Sequence, residues 1–203
     1  MIKAIIFDFD DTLYNGPVWE NWGSYTKNYV YANFENPDEI YKKYGFTCNS
    51  NGASFVKMTI SEKGSAEPFY NYQLNNVCEL NLTDVVVVDN DRLRELKNKY
   101  KLFIVSNSSI THLNYYMEKM GIDDRCFTGV YDNQFKTENL TKALRYEEII
   151  NTYKLKPENI LVLGDNPKND IEPAIQLGMS GECVRSLRDL YRIFDHLMGV
   201  NDD

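Results

Sequence analysis

Apolar and polar positions along the 203-residue chain alternate between short apolar runs and longer amphipathic stretches. Ile2 to Phe7 is a run rich in β-branched residues that ends at an acidic turn, the pattern of a buried strand. Leu102 to Val105 repeats it ahead of Ser106-Asn107-Ser108-Ser109, and Ile160 to Leu163 repeats it ahead of Gly164-Asp165-Asn166-Pro167. Phe127 to Tyr131 and Glu182 to Val184 are two further candidate strands. Helical patterns lie between them: Leu93 to Tyr100, Ile110 to Met120 stopped by Gly121, Leu140 to Tyr153, and Asp170 to Leu177 stopped by Gly178. Ser186 caps a final helix reaching Leu197. This alternation predicts an α/β fold, a parallel sheet covered by helices on both faces. In such sheets ligands bind beyond the carboxyl ends of the strands, where the three polar turns fall.

Residues 15–84 break the alternation and are too long for one connection in a compact domain. Helix-like, aromatic-rich Trp19 to Phe34 is followed by Pro37 to Tyr44, a loop from Thr47 to Gly52, and a second helical stretch from Ala53 to Leu80. The segment reads as an inserted helical cap, which divides the chain into a core of residues 1–14 and 85–203 and a cap of residues 15–84.

Composition narrows the classes of function. Hydrophobic residues make up 43% and charged ones 26%, as in folded globular proteins. A formal charge of −8 opposes binding to a nucleic-acid polymer, which depends on cations against phosphates. The first apolar run is broken by Lys3 and lacks the length of a signal peptide, and no later run approaches the ~20 residues of a membrane span. A cytoplasmic location without membrane partners is expected. Cys48, Cys78, Cys126 and Cys183 have no metal-ligand spacing and are expected to be reduced, partly buried thiols. His112 and His196 stand on polar stretches and are expected at the surface.

Three turns carry candidate chemistry. Asp8-Phe9-Asp10-Asp11-Thr12 either aims two carboxylates into one pocket, where one attacks and the other moves protons, or forms a solvated acidic cap. Gly164-Asp165 followed by Asp170 places two more carboxylates at a tight strand exit, hard oxygen ligands suited to Mg²⁺, although Asp170 equally suits a helix cap. Ser106 and Asn107 offer a hydroxyl, an amide and backbone N–H groups to phosphate oxygens, or an N-cap to the helix from Ile110.

In order, spacing and strand context these turns resemble the haloacid dehalogenase (HAD) superfamily. Asp8-Phe9-Asp10-Asp11-Thr12-Leu13 resembles its first motif, Ile104-Val105-Ser106-Asn107 its second, and Val162-Leu163-Gly164-Asp165 with Asp170-Ile171 its fourth. The resemblance implies a Rossmann-like parallel sheet and Mg²⁺-dependent cleavage of a small phosphomonoester, of the nucleotide or sugar phosphate class. By analogy Asp8 attacks phosphorus to form an aspartyl-phosphate, while Asp10 protonates the leaving oxygen and then activates water. Mg²⁺ would rest on the carboxylates of Asp8 and Asp165 and the backbone carbonyl of Asp10, with Asp170 a ligand or one step behind. Ser106 and Asn107 would bind phosphate. The third motif, a lysine, departs from the family pattern because its Lys-Pro pair is absent. Lys142 and Lys136 are the candidates, and Lys142 is favoured by its place at the start of the helix before the Ile160 strand.

Asp10 disfavours dehalogenation, because members that cleave carbon–halogen bonds lack an Asp there. A sugar-phosphate mutase of the same superfamily and a non-catalytic binding protein on this fold are the alternatives. The insert resembles the helical cap of the first cap class. Trp19, Trp22, Tyr25 and Tyr29 either face the pocket or, as aromatics at helical spacing more often do, build the cap's own apolar stripe. Tyr14 lines the entrance or packs, and Asp11 shapes the turn.

Overall fold

The computed structural model describes residues 1–47, 50–132 and 141–199. Five parallel strands form the main sheet: β1 (Ala4–Phe7), β4 (Lys101–Ser106), β5 (Gly129–Asp132), β6 (Ile160–Gly164) and β7 (Ser180–Cys183). Their order is β5-β4-β1-β6-β7. Strands β1, β4 and β6 are almost wholly buried because they are covered on both faces, which explains their near-continuous apolar runs.

Alternate residues of each strand enter different cores. Ile5, Phe7, Leu102, Ile104, Leu161 and Leu163 pack with Leu93 and Leu96 of α5 (Asn90–Lys97), Leu113 and Met117 of α6 (Ile110–Met120), and Leu190 and Phe194 of α9 (Leu187–Met198). Ala4, Ile6, Phe103, Val105, Ile160 and Val162 pack with Tyr146 and Ile149 of α7 (Ala143–Tyr153) and Ala174 of α8 (Glu172–Gln176). From β1 the chain builds outward through β4 and β5, then returns to the other side of β1 with β6. The carboxyl ends of β1 and β6 therefore flank the point where strand order reverses, the usual ligand crevice of such sheets.

Between β1 and β4 lie a short antiparallel pair, β2 (Tyr14–Asn15) with β3 (Val86–Val87), and four helices. These are α1 (Trp22–Asn33), α2 (Pro37–Tyr44), α3 (Gly52–Lys63) and α4 (Glu67–Asn75). They share an apolar cluster of their own, including Tyr29, Val30, Ile40, Phe55, Met58 and Phe69. Where the chain enters this segment beside its return, Gly16 has φ +143° and a Cβ there would lie 2.9 Å from Val85 Cα.

The expected single helix from Ala53 to Leu80 is two helices. Gly64, left-handed at φ 81°, ends α3, and α4 restarts at Glu67-Pro68. The helix expected from Asp170 is also corrected: Pro167–Ile171 wind as a π-helical turn before α8, which places Asp170 inside the turn. The expected helix Leu140 to Tyr153 is described from its N-cap Lys142 onward, Leu140 lying outside the described residues.

Candidate active site

The site is assembled from the ends of three strands. Directly after β1, the Asp8 N–H donates to Leu163 O at 2.8 Å, which ties this turn to β6. Phe9 is fully buried against Tyr14 and Tyr116, and Asp11 takes a left-handed φ of 56°. Leu13 N–H donates back to Phe9 O at 3.1 Å, closing the turn.

Three hydroxyls hold the Asp10 carboxylate: Tyr14 OH donates to Oδ1 at 2.7 Å, while Ser106 Oγ and Ser108 Oγ donate to Oδ2 at 3.2 and 3.1 Å. Burial pushes the Asp10 carboxyl above its ordinary value, and the hydrogen bonds from Tyr14 and Ser108 offset part of that rise.

Lys142, 1% exposed, is the charged centre of the site. Its Nζ donates to Asp8 Oδ1 at 2.5 Å and lies 2.7 Å from Asp170 Oδ1. Burial by itself would push this ammonium down, but Asp8 and Asp170 outweigh it and keep the lysine charged. The Asp8 carboxyl is raised chiefly by burial, with Lys142 working in the opposite direction and Asp10 adding to the rise.

Asp170 is fixed from both sides. Its Oδ2 accepts the Asn166 N–H at 3.0 Å, and its own carbonyl accepts from Tyr146 OH at 3.2 Å. It lies so close over Gly164 that a Cβ there would meet Asp170 Oδ2 at 2.5 Å.

Asp165 completes the group. Carboxylate oxygens of Asp8, Asp165 and Asp170 fall within 4.8 Å of one another. Burial and the nearby Asp8 push the Asp165 carboxyl up to about 7. Three carboxylates around one ammonium leave excess negative charge in a desolvated place, and their hard oxygens fit a hard divalent cation.

A cavity of about 450 Å³ opens from this site toward the four helices, with Asp10, Asn107 and Ser108 at one end and Trp19, Trp22 and Phe69 among its walls.

The structure therefore brings Asp8, Asp10, Ser106, Lys142, Asp165 and Asp170 together and puts Asn107 on the cavity wall. Lys136 lies outside the described residues, as does Cys48. Sequence reasoning missed Ser108 and the bond from Tyr14; the only signal for either was proximity to a motif. The N-cap of α6 is Ser109, whose Oγ accepts the His112 N–H, so Ser106 is free of that duty.

His112 is a correction. It is 2% exposed, because Ser109 Oγ lies 2.6 Å from its Nδ1 and the Cys78 N–H donates to its Nε2 at 3.1 Å. Cys183 is exposed, whereas Cys78 and Cys126 are buried thiols. Of the four aromatics, Trp19 and Trp22 line the cavity, while Tyr25 and Tyr29 are buried among the helices, their hydroxyls bonded to Asn76 O and Thr59.

The chain is thus a parallel α/β protein with clustered carboxylates at its ligand-binding edge. The family model for haloacid dehalogenase-like hydrolases matches residues 2–178, and the chain belongs to that family. Comparison with curated proteins yields no match.

Among solved structures, a predicted phosphoglycolate phosphatase from Haemophilus somnus is similar at 21% identity and TM-score 0.57, over 89% of this chain and 84% of that one. A HAD phosphatase from Thermococcus onnurineus is similar at 18% identity and TM-score 0.57, over 95% and 97%. The magnesium complex of a HAD family enzyme from Bacteroides thetaiotaomicron is similar at 16% identity and TM-score 0.55, over 95% and 98%. At these identities the likeness is one of fold. Among the described residues no helix is long and apolar enough to cross a membrane.

Proposed function

We propose that the chain is a magnesium-dependent phosphatase of a small phosphomonoester, of the nucleotide or sugar phosphate class, that carries the phosphoryl group on Asp8. An Asp8 oxygen forms a bond to phosphorus as the ester P–O bond breaks, and Asp10 delivers a proton to the departing oxygen. Asp10 then takes a proton from water, whose oxygen attacks phosphorus and releases inorganic phosphate with a free Asp8 carboxylate. Burial raises the Asp10 carboxyl toward the protonated form that the first step needs. Lys142 holds Asp8 in place and balances charge, and Ser106 with Asn107 receives the phosphate oxygens.

Asp8 and Asp165, with the backbone carbonyl of Asp10, would hold Mg²⁺, and Asp170 either joins them or braces Lys142 from behind. When bound, the metal supplies the positive charge that lets a phosphate approach a carboxylate. The magnesium complex among the similar folds supports this choice of ion. Residues 15–84 act as a cap over a core of residues 1–14 and 85–203, shutting water from the reaction.

The observation that carries the proposal is the placement of Asp8 at 2.5 Å from a buried ammonium, with a second, hydroxyl-bound carboxylate two residues along the same turn. The test is phosphate release from a generic aryl phosphate, with Mg²⁺ and with chelator, for wild type and Asp8→Asn. Metal-dependent release is expected, and Asp8→Asn should lose about a thousandfold or more, roughly 4 kcal/mol of barrier. Release unaffected by the substitution overturns the role of Asp8. Inorganic phosphate as the product also separates this chemistry from that of a mutase.

A further inference from the structure

Resting on the phosphatase reading, we propose that the leaving group accepted by this site is uncharged and carries a flat apolar or aromatic portion. The phosphate to be cleaved is then the substrate's single anionic group, and esters with a second phosphate or a carboxylate are rejected.

The cavity meets the reaction at Asp10, the proposed proton donor to the departing oxygen, so the leaving group extends from there between the helices. Its far walls are apolar. Trp19 and Trp22 meet edge to face at 5.6 Å, and Val56 and Phe69 belong to the apolar cluster behind them. Gly52 lies beside the Trp22 ring, where a Cβ would be in ordinary contact at 3.5 Å. The Trp22 indole N–H is used on Ser50 O at 2.9 Å, which fixes the ring as a wall.

No lysine or arginine lines the cavity among the described residues. Residues 15–84 contain no arginine, and their lysines, Lys27, Lys42, Lys43, Lys57 and Lys63, are all exposed. Lys142 is held by Asp8 and Asp170 on the catalytic side.

His112, on the cavity wall, adds no cation, because its Nε2 accepts the Cys78 N–H and burial pushes it down to about 4. The start of α3 faces the cavity with backbone N–H groups, of which Asn51 Oδ1 accepts that of Ser54, and it brings no side-chain cation. A second anion would thus lose its hydration against largely apolar walls with no side-chain cation to pair with it. Neutral hydroxyl or amide groups of a leaving group can instead bond to Ser108, Asn107 or Gln73.

The chain's two tryptophans are both in this cavity, so intrinsic fluorescence reports on it directly. The experiment compares turnover of 2-phenylethyl phosphate and phosphoglycolate, with phenyl phosphate as the catalytic control, in wild type, Trp22→Ala and Ala53→Lys. Wild type should favour 2-phenylethyl phosphate at least tenfold in kcat/KM. Trp22→Ala should lose most of that preference through KM, and Ala53→Lys, which puts a cation on the wall, should raise turnover of phosphoglycolate. Equal or better use of phosphoglycolate by wild type overturns the proposal.

Should none of the three esters be cleaved, the phosphatase reading fails separately, and fluorescence titration with 2-phenylethanol and glycolate decides the rest. A spectral shift with the aromatic alcohol alone supports the neutral pocket, whereas a response to glycolate, or to neither, contradicts it.

Discussion

Three hydroxyls converge on Asp10, while one ammonium is shared by Asp8 and Asp170, so two carboxylates of one turn sit in different environments. That difference suits them to separate roles. Residue type and spacing made Asp8, Asp10 and Asp165 legible in the sequence, because carboxylates after apolar runs are rare and conspicuous. Ser108 was not legible, since a serine in a Ser-rich turn has several local uses that only the turn's geometry separates.

His112 was misread for a related reason: Ser109, Thr111 and Asn114 give its stretch a polar look, but its ring accepts the backbone N–H of Cys78 from a distant segment. Burial lowers His112 from its ordinary 6.5 to about 4, so the unfolded chain takes up the proton first as pH falls. Stability should therefore drop between about pH 6.5 and pH 4, by about 3 kcal/mol from this residue. Denaturant unfolding of wild type and His112→Gln, each referred to its own stability at pH 7, checks this. The variant should lose less over that window, and identical profiles would contradict the buried neutral imidazole.

Among elements, the turn after β6 shows how backbone shape serves the site. Gly164 ends the strand without a side chain, which leaves room for Asp170 to fold back over it and reach Lys142. Gly164→Ala introduces a Cβ where Asp170 Oδ2 would be 2.5 Å away, so Asp170 must shift. A loss of about 1 to 3 kcal/mol in stability is expected, as for other overpacked sites, together with at least a tenfold fall in kcat. Thermal unfolding and an aryl phosphate assay check it, and wild-type values in both would show that the contact is slack.

The main strands were readable because burial on both faces gives continuous apolar runs. The break between α3 and α4 was missed because Gly64 sits in a helical pattern that continues on either side, and the β2–β3 pair because each strand has only two residues. The π-helical turn at Pro167–Ile171 leaves no periodic trace in so short a span.

For the molecule as a whole, the sheet places the candidate site at the reversal of strand order, and the four helices are tied down beside it. Ser109 Oγ donates to Gln73 O, Thr111 Oγ1 donates to Leu74 O, and His112 accepts from Cys78, so the first turn of α6 holds the end of α4 and the chain just beyond it. Trp19 packs edge to face on Tyr116 of the same helix at 5.4 Å. This docking shapes the cavity between the sheet's edge and the helices, and it depends on long-range contacts that no local pattern encodes.

The central claim is that Asp8 carries the phosphoryl group, and chemical trapping tests it most directly. An aryl leaving group departs without help from an acid, so Asp10→Asn should still form the aspartyl-phosphate while losing the base that hydrolyses it. The variant is mixed with aryl phosphate and Mg²⁺, quenched in acid, reduced with borohydride and mapped by peptide mass spectrometry. Reduction of the acyl phosphate at position 8, absent without substrate, is the expected result; a burst of aryl alcohol with Asp8 unmodified would contradict the account.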